Sequence, residues 1–154
     1  MSAITTGQFA PSFEAPSTSG TVRLGAAMGK KCVIYFYPKD NTPGCTNEAQ
    51  AFKDHWQAFQ AENCDIYGVS RDSMTAHKKF SDKLELPFAL IADPDETVCN
   101  LFGVMRDKMM YGKQVRGIER STFLVDAQGK IAQIWRAVKV PGHVEEVLAA
   151  VRNA

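Results

Sequence analysis

The chain has 154 residues, 45% hydrophobic and 23% charged, a composition that suits one folded domain over residues 1–154 and excludes a disordered or fibrous class. Eighteen Lys and Arg against 17 Asp and Glu leave a net charge of +1, so no general attraction to nucleic acid or anionic membranes is expected. No apolar run approaches the roughly 18 residues of a membrane helix, and the first twenty residues lack a signal-peptide pattern. Together these point to a cytoplasmic protein with small-molecule or protein partners.

In chain order, the Ser-, Thr-, Gly- and Pro-rich opening twenty residues read as loop and turn. The run CVIYFY at 32–37 is continuously apolar, as expected of a central strand covered on both faces. Residues 38–44 break that pattern. From Cys45 the apolar positions Ala49, Phe52, Trp56 and Phe59 recur every three or four residues, predicting one helix with Cys45 in its first turn. A second strand is expected over Cys64–Ser70. A helix follows with Met74, His77, Phe80 and Leu84 on one stripe, ending before Pro87.

FALIA at 88–92 predicts a third strand and 96–102 a short helix, whereas MRDKMMYGKQVRG at 105–117 reads as loop. Two strands are expected at 121–125 and 130–138 around a short hairpin whose Gly129 supplies a positive φ. The stripe Val144, Val147, Leu148 and Val151 closes the chain with an amphipathic helix. Alternating strands and helices imply a parallel sheet, and the terminal hairpin adds antiparallel strands to it. The predicted class is α/β, a central mixed sheet with helices on both faces, similar to the thioredoxin-like fold with an insertion. Such likeness of fold settles no function.

The cysteines are Cys32, Cys45, Cys64 and Cys99; no CxxC pair occurs, and the three His stand apart from them. Neither a metal site nor a disulfide framework is expected. Cys32 and Cys64 lie within or at the start of apolar strands and read as small buried hydrophobes.

Cys45 is different. It follows a loop at the carboxyl end of a parallel strand, where reactive groups of α/β sheets gather. Thr42 suits the N-cap and Pro43 the first helical position, which puts Cys45 third in the helix, where the Thr42 hydroxyl can approach both its N–H and its sulfur. Unpaired N–H groups and the helix dipole stabilise a thiolate there, and the thiolate is the nucleophile. It also needs a cation. His55 is nearly three turns along the helix, and His77 reads as a core or surface residue. Arg120 begins a strand expected to run antiparallel to the first, which would bring its guanidinium to the same sheet edge.

These residues resemble the peroxiredoxin family. Pro38, Thr42 and Cys45 match its Pro-x-x-x-Thr-x-x-Cys signature. FYPKDNTPGCTNEAQAF, GQFAPSFEAP and ERSTFLVDAQGKI are similar, over essentially the whole chain, to the bacterioferritin comigratory protein (PrxQ) branch. The resemblance implies a peroxidase without cofactor or metal that reduces hydrogen peroxide and organic hydroperoxides. Cys45 would be the nucleophile. Thr42 would bond the peroxide and sulfur, Pro38 would shield the thiolate, and Arg120 would stabilise thiolate and transition state. Glu48 matches a position often acidic or polar in the family, where it would order Arg or Lys side chains.

Many members carry a resolving Cys five positions after the nucleophile, and others carry one at 79–83; here Gln50 fills the first position and no Cys the second. The Cys45 sulfenic acid would then be reduced by thioredoxin or another external thiol, or by Cys64 or Cys99, and the resemblance implies a monomer. Two rival readings are a thioredoxin-fold redox sensor or holdase without efficient turnover, and a cysteine hydrolase. The hydrolase lacks a His placed to act as base.

Overall fold

The computed structural model describes residues 4–25 and 29–154. In chain order it contains β1 (Phe13–Ser17), β2 (Gly20–Leu24), β3 (Lys31–Phe36), α1 (Pro43–Asp54), α2 (Trp56–Ala61), β4 (Cys64–Ser70), α3 (Met74–Leu84) and β5 (Ala89–Ala92). There follow α4 (Thr97–Leu101), β6 (Met105–Met110), β7 (Lys113–Ile118), β8 (Ser121–Val125), β9 (Ile131–Trp135) and α5 (His143–Arg152). Seven strands form one mixed sheet in the order β2-β1-β5-β4-β3-β8-β9. β3, β4 and β5 are parallel, whereas β8 runs antiparallel to β3, with Phe36 opposite Ser121 and Cys32 opposite Val125.

β3 is buried on both faces, which is why it reads as an unbroken apolar run. Its side chains alternate between two cores. Val33 and Tyr35 pack with Phe52 of α1, Phe59 of α2, Phe80 of α3, Leu124 of β8 and Val144 and Val147 of α5. Ile34 and Phe36 pack on the other side with Ile91, Phe123, Ile118 and Phe102, the last just after α4. Among the described residues, helices therefore cover both faces, four on the first and α4 on the second. Each fully buried aromatic side chain here is worth roughly 1.5–3 kcal/mol of transfer free energy. Among the described residues no helix is long and apolar enough to cross a membrane.

Three expectations are corrected. The opening stretch is not all loop: β1 and β2 form an antiparallel hairpin at one end of the sheet, with β2 as the edge strand and β1 paired to β5 only at Ser17, so Pro16 interrupts no pairing there; residues 1–3 of that stretch lie outside the described residues. The helix from Cys45 does not run on to Phe59. It stops at Asp54 and α2 restarts at Trp56; at the break the Ala51 carbonyl meets both the His55 backbone N–H, at 3.2 Å, and the His55 ring nitrogen Nδ1, at 2.9 Å. Finally, 105–117 is a hairpin rather than a loop. Tyr111 and Gly112 at its tip have φ of 52° and 76°, the signs of a two-residue type I′ turn.

Candidate active site

After β3 the chain is fixed once more by Tyr37 N–H bonding to the Val69 carbonyl, then turns through 38–42 into α1. Thr42 takes the extended N-cap conformation and Pro43 the first helical position, so Cys45 is third, as expected. The first intrahelical bond runs from Thr46 N–H to the Thr42 carbonyl at 2.8 Å. The Gly44 and Cys45 N–H groups precede it and make no hydrogen bond among the described residues. They leave a positive helix end beside the sulfur of Cys45, a residue only 2% exposed.

Arg120 stands immediately before β8, and the antiparallel register delivers it to the end of β3 where Cys45 sits. Its backbone carbonyl is held by Val138 N–H, and its fork is divided: Nη2 donates to Cys45 Sγ at 3.4 Å and Nη1 to Glu48 Oε1 at 2.7 Å. A Cβ on Gly44 would lie 3.2 Å from Nη2, so a bare residue suits the approach. Burial opposes the charge on Arg120, but Glu48 and the Cys45 sulfur raise its pKa above the ordinary value. Glu48 is fully buried one turn along α1, with Oε2 unpartnered. Burial pushes its carboxyl up to about 7, although Arg120 pulls the other way. Its expected part in ordering an Arg side chain is the geometry seen.

Thr42 is at the site, but its hydroxyl does not make the expected bond to Cys45. It donates instead to the Lys39 carbonyl at 2.9 Å, closing a turn within the loop, and caps the helix through its backbone alone. With its hydrogen so committed, the Thr42 oxygen still has lone pairs that can accept a hydrogen bond. Pro38 is exposed where the loop leaves β3.

Sequence reasoning gave His77 and Asp40 no part in the site. Yet Asp40 is buried and ties the loop down. Its Oδ1 accepts from Tyr37 Oη at 2.6 Å and its Oδ2 lies 2.6 Å from His77 Nδ1. His77 Nε2–H donates to the Ile91 carbonyl at 3.0 Å, so one proton is shared between Nδ1 and the Asp40 carboxyl. Asp40 N–H also donates to Asp72 Oδ2, which Ser70 Oγ holds at 2.6 Å. Asp40, Asp72 and His77 bring one ligand atom each within 4.8 Å of one another, a spacing compatible with a metal, though these atoms already serve one another and the loop. A His inside an apolar helical stripe was the one available signal.

The other cysteines are free, buried thiols remote from this chemistry. Cys64 starts β4 opposite Lys31, the far end of the sheet, and burial pushes its thiol up to about 12. Cys32 and Cys99 belong to the core on the opposite face and are likewise raised by burial.

A cysteine at a helix entry off the carboxyl end of a parallel strand, facing a guanidinium and free main-chain donors, is organised to attack an electrophile and to stabilise an oxygen anion as it leaves. Residues 6–134 match the AhpC/TSA family. The peroxiredoxin Bcp of Xanthomonas campestris is 49% identical over 93% of this chain and 91% of its own, and that of Bacillus subtilis is 45% identical over 96% and 94%. Among solved structures, the bacterioferritin comigratory protein of Xanthomonas campestris, studied for its alkyl peroxide reduction activity, superposes with a TM-score of 0.85 at 45% identity over 92% of this chain and 90% of that one. A Cys-to-Ser variant of Xylella fastidiosa PrxQ gives a TM-score of 0.92 at 37% identity over 99% and 98%. The chain belongs to the AhpC/TSA family, among its Bcp (PrxQ) peroxiredoxins, and is a thiol-dependent peroxidase.

Proposed function

We propose that Cys45 is the peroxide-attacking residue, with Arg120 and Thr42 as its partners, and that hydrogen peroxide and organic hydroperoxides are the substrates. The observation that carries this is the divided Arg120 fork, which holds Cys45 Sγ with one nitrogen and is itself held by Glu48 through the other. The Cys45 thiolate forms an S–O bond to one peroxide oxygen while the O–O bond breaks. The departing oxygen takes the electron pair and a proton, leaving as water or an alcohol. Arg120 and the Gly44 and Cys45 N–H groups stabilise the charge that develops. The Thr42 oxygen accepts from the peroxide O–H and orients it. Pro38 forms the outer edge of the pocket. The alkyl peroxide activity of the Xanthomonas campestris relative supports organic substrates.

The resulting sulfenic acid is reduced by an external thiol, small or thioredoxin-like. Cys64 and Cys99 are fully buried, one at the other end of the sheet and one across it, so neither reaches Cys45 without dismantling the core. Four free thiols suit a reducing compartment such as the cytosol.

Mass spectrometry after one equivalent of peroxide tests the reading. A sulfenic-acid trap should add to residue 45 alone. A mass loss of two hydrogens, or a single turnover per chain with thiol in excess, would turn the reading toward an internal disulfide or a redox sensor.

A further inference from the structure

Beside the active-site loop lies an open cavity of about 330 Å³, a size that suits a small ligand. It is lined by Lys39, Asp40 and Asn41 of the loop, by Lys79, Phe80 and Lys83 of α3, and by Asp72. The carboxylates in it are spent: Asp40 on Tyr37 and His77, and Asp72 on Ser70 and the Asp40 N–H. The ammonium groups are not. Lys39 and Lys79 have no carboxylate or other side-chain partner among the described residues, and Lys83 Nζ meets only the neutral Asn41 Oδ1 at 3.0 Å. The groove thus offers a surplus of positive charge over apolar stems and the Phe80 ring.

Its place in the chain gives this charge a use. Asn41 is four residues before Cys45, so the two lie within about 14 Å, while a tripeptide spans about 10 Å when extended. Neither position 50 nor positions 79–83 carries a cysteine, and the groove occupies the side of the loop bordered by 79–83.

We propose that this groove binds the reductant, a peptide-sized thiol bearing carboxylates, and that Lys79 and Lys83 hold those carboxylates. The inference rests on the peroxidase reading above and names the second substrate of that site. The thiol attacks the Cys45 sulfenic acid, forming a mixed disulfide and releasing water. A second thiol then takes the outer sulfur, giving the oxidised disulfide and returning Cys45. Because Cys45 is only 2% exposed, the first turn of α1 must open for this attack, and a tethered thiol gains effective concentration while it does.

The test uses protein oxidised by one equivalent of peroxide and then mixed with glutathione, which has two carboxylates, or with its dimethyl ester, which has none. At low salt glutathione should form the mixed disulfide about tenfold faster than the ester. Lys79→Gln/Lys83→Gln should remove most of that preference while the ester rate changes less than twofold. Equal rates for acid and ester, a preference untouched by the lysine substitutions, or reduction by thioredoxin alone would overturn the inference. The peroxide step is followed separately in the same variants: if sulfenic acid never forms at Cys45, the peroxidase assignment of this cysteine fails instead.

Discussion

Glu48 and Arg120 meet at 2.7 Å in a site where the Glu48 side chain has no exposure at all, so the guanidinium that faces the nucleophile is oriented by a buried acid. Burial raises that acid to about 7. Between its ordinary value of 4.5 and about 7, the unfolded chain has lost a proton that the folded one retains. Stability contributed by this group is therefore full below about pH 4.5 and lost as pH rises through 7. In Glu48→Gln that loss is absent. Urea midpoints at pH 5 and pH 8 should show wild type losing of order 1–3 kcal/mol relative to the variant. Parallel pH trends in the two proteins would contradict it.

The fork geometry makes a different prediction. An ammonium cannot bond a carboxylate and a sulfur in parallel as a guanidinium does. Arg120→Lys should keep the fold and slow the peroxide step by about 100-fold, the scale of losing one transition-state donor. Arg120→Ala would leave the buried Glu48 carboxyl without its partner. Arg120→Ala/Glu48→Gln separates unfolding from lost chemistry: circular dichroism should be native and stopped-flow peroxide reaction slow. Wild-type rates in either variant would remove Arg120 from the mechanism.

The cysteines should divide cleanly. Cys32, Cys64 and Cys99 are held as thiols by burial, and among the described residues only Cys45 accepts a hydrogen bond from a guanidinium. Iodoacetamide at pH 7 should therefore label residue 45 first, read by peptide mass. Cys45→Ser should bring peroxide consumption to background with the fold intact. Cys64→Ala and Cys99→Ala should retain multiple turnover with an external thiol. If Cys99→Ala stops turnover, the resolving thiol is internal.

How far the sequence leads depends on how each element is buried. β3, β4, α3 and α5 carry unbroken or periodic apolar patterns because they face a core, and their limits were readable to within a residue or two. The β6–β7 hairpin was not readable, since only Ile118 of β7 is buried and Tyr-Gly is a weak turn signal. The meeting of Cys45 and Arg120 followed from one topological inference, that β8 lies antiparallel beside β3. The Thr42 hydroxyl was misplaced because a nearer acceptor, the Lys39 carbonyl, competes for its hydrogen. Asp40 and His77 are 37 residues apart and joined only by tertiary packing, which no local pattern encodes.

His143 supplies an acid-side test. Burial, aided by the charge of Arg120, lowers it to about 4, and its Nε2 lies 2.8 Å from Thr122 Oγ1. Below its ordinary value of 6.5 the unfolded chain takes up a proton that the folded one refuses. Stability is then full above 6.5 and lost as pH falls through 4. His143→Gln should lose of order 1–2 kcal/mol less than wild type between pH 6.5 and pH 4, measured by urea denaturation. An unchanged acid limb would show that His143 is not the group responsible.

The Asp40–His77 pair joins the active-site loop to α3 and, through the Ile91 carbonyl, to β5. Breaking one side of a buried pair costs about 3–5 kcal/mol, because the remaining partner is left without compensation. His77→Leu should therefore destabilise the protein by about that amount, and adding Asp40→Asn should cost much less than the sum of the two single changes. The chemical consequence follows from position. Asp40 lies two residues before Thr42, so an unlatched loop no longer fixes the Thr42 oxygen or the Gly44 and Cys45 N–H groups against the peroxide. The expected result for Asp40→Asn/His77→Leu is a native far-ultraviolet spectrum, faster hydrogen exchange at 39–42, and a peroxide step about tenfold slower. If exchange quickens but the rate does not fall, the loop is held for stability alone, and orientation of the peroxide rests on Arg120.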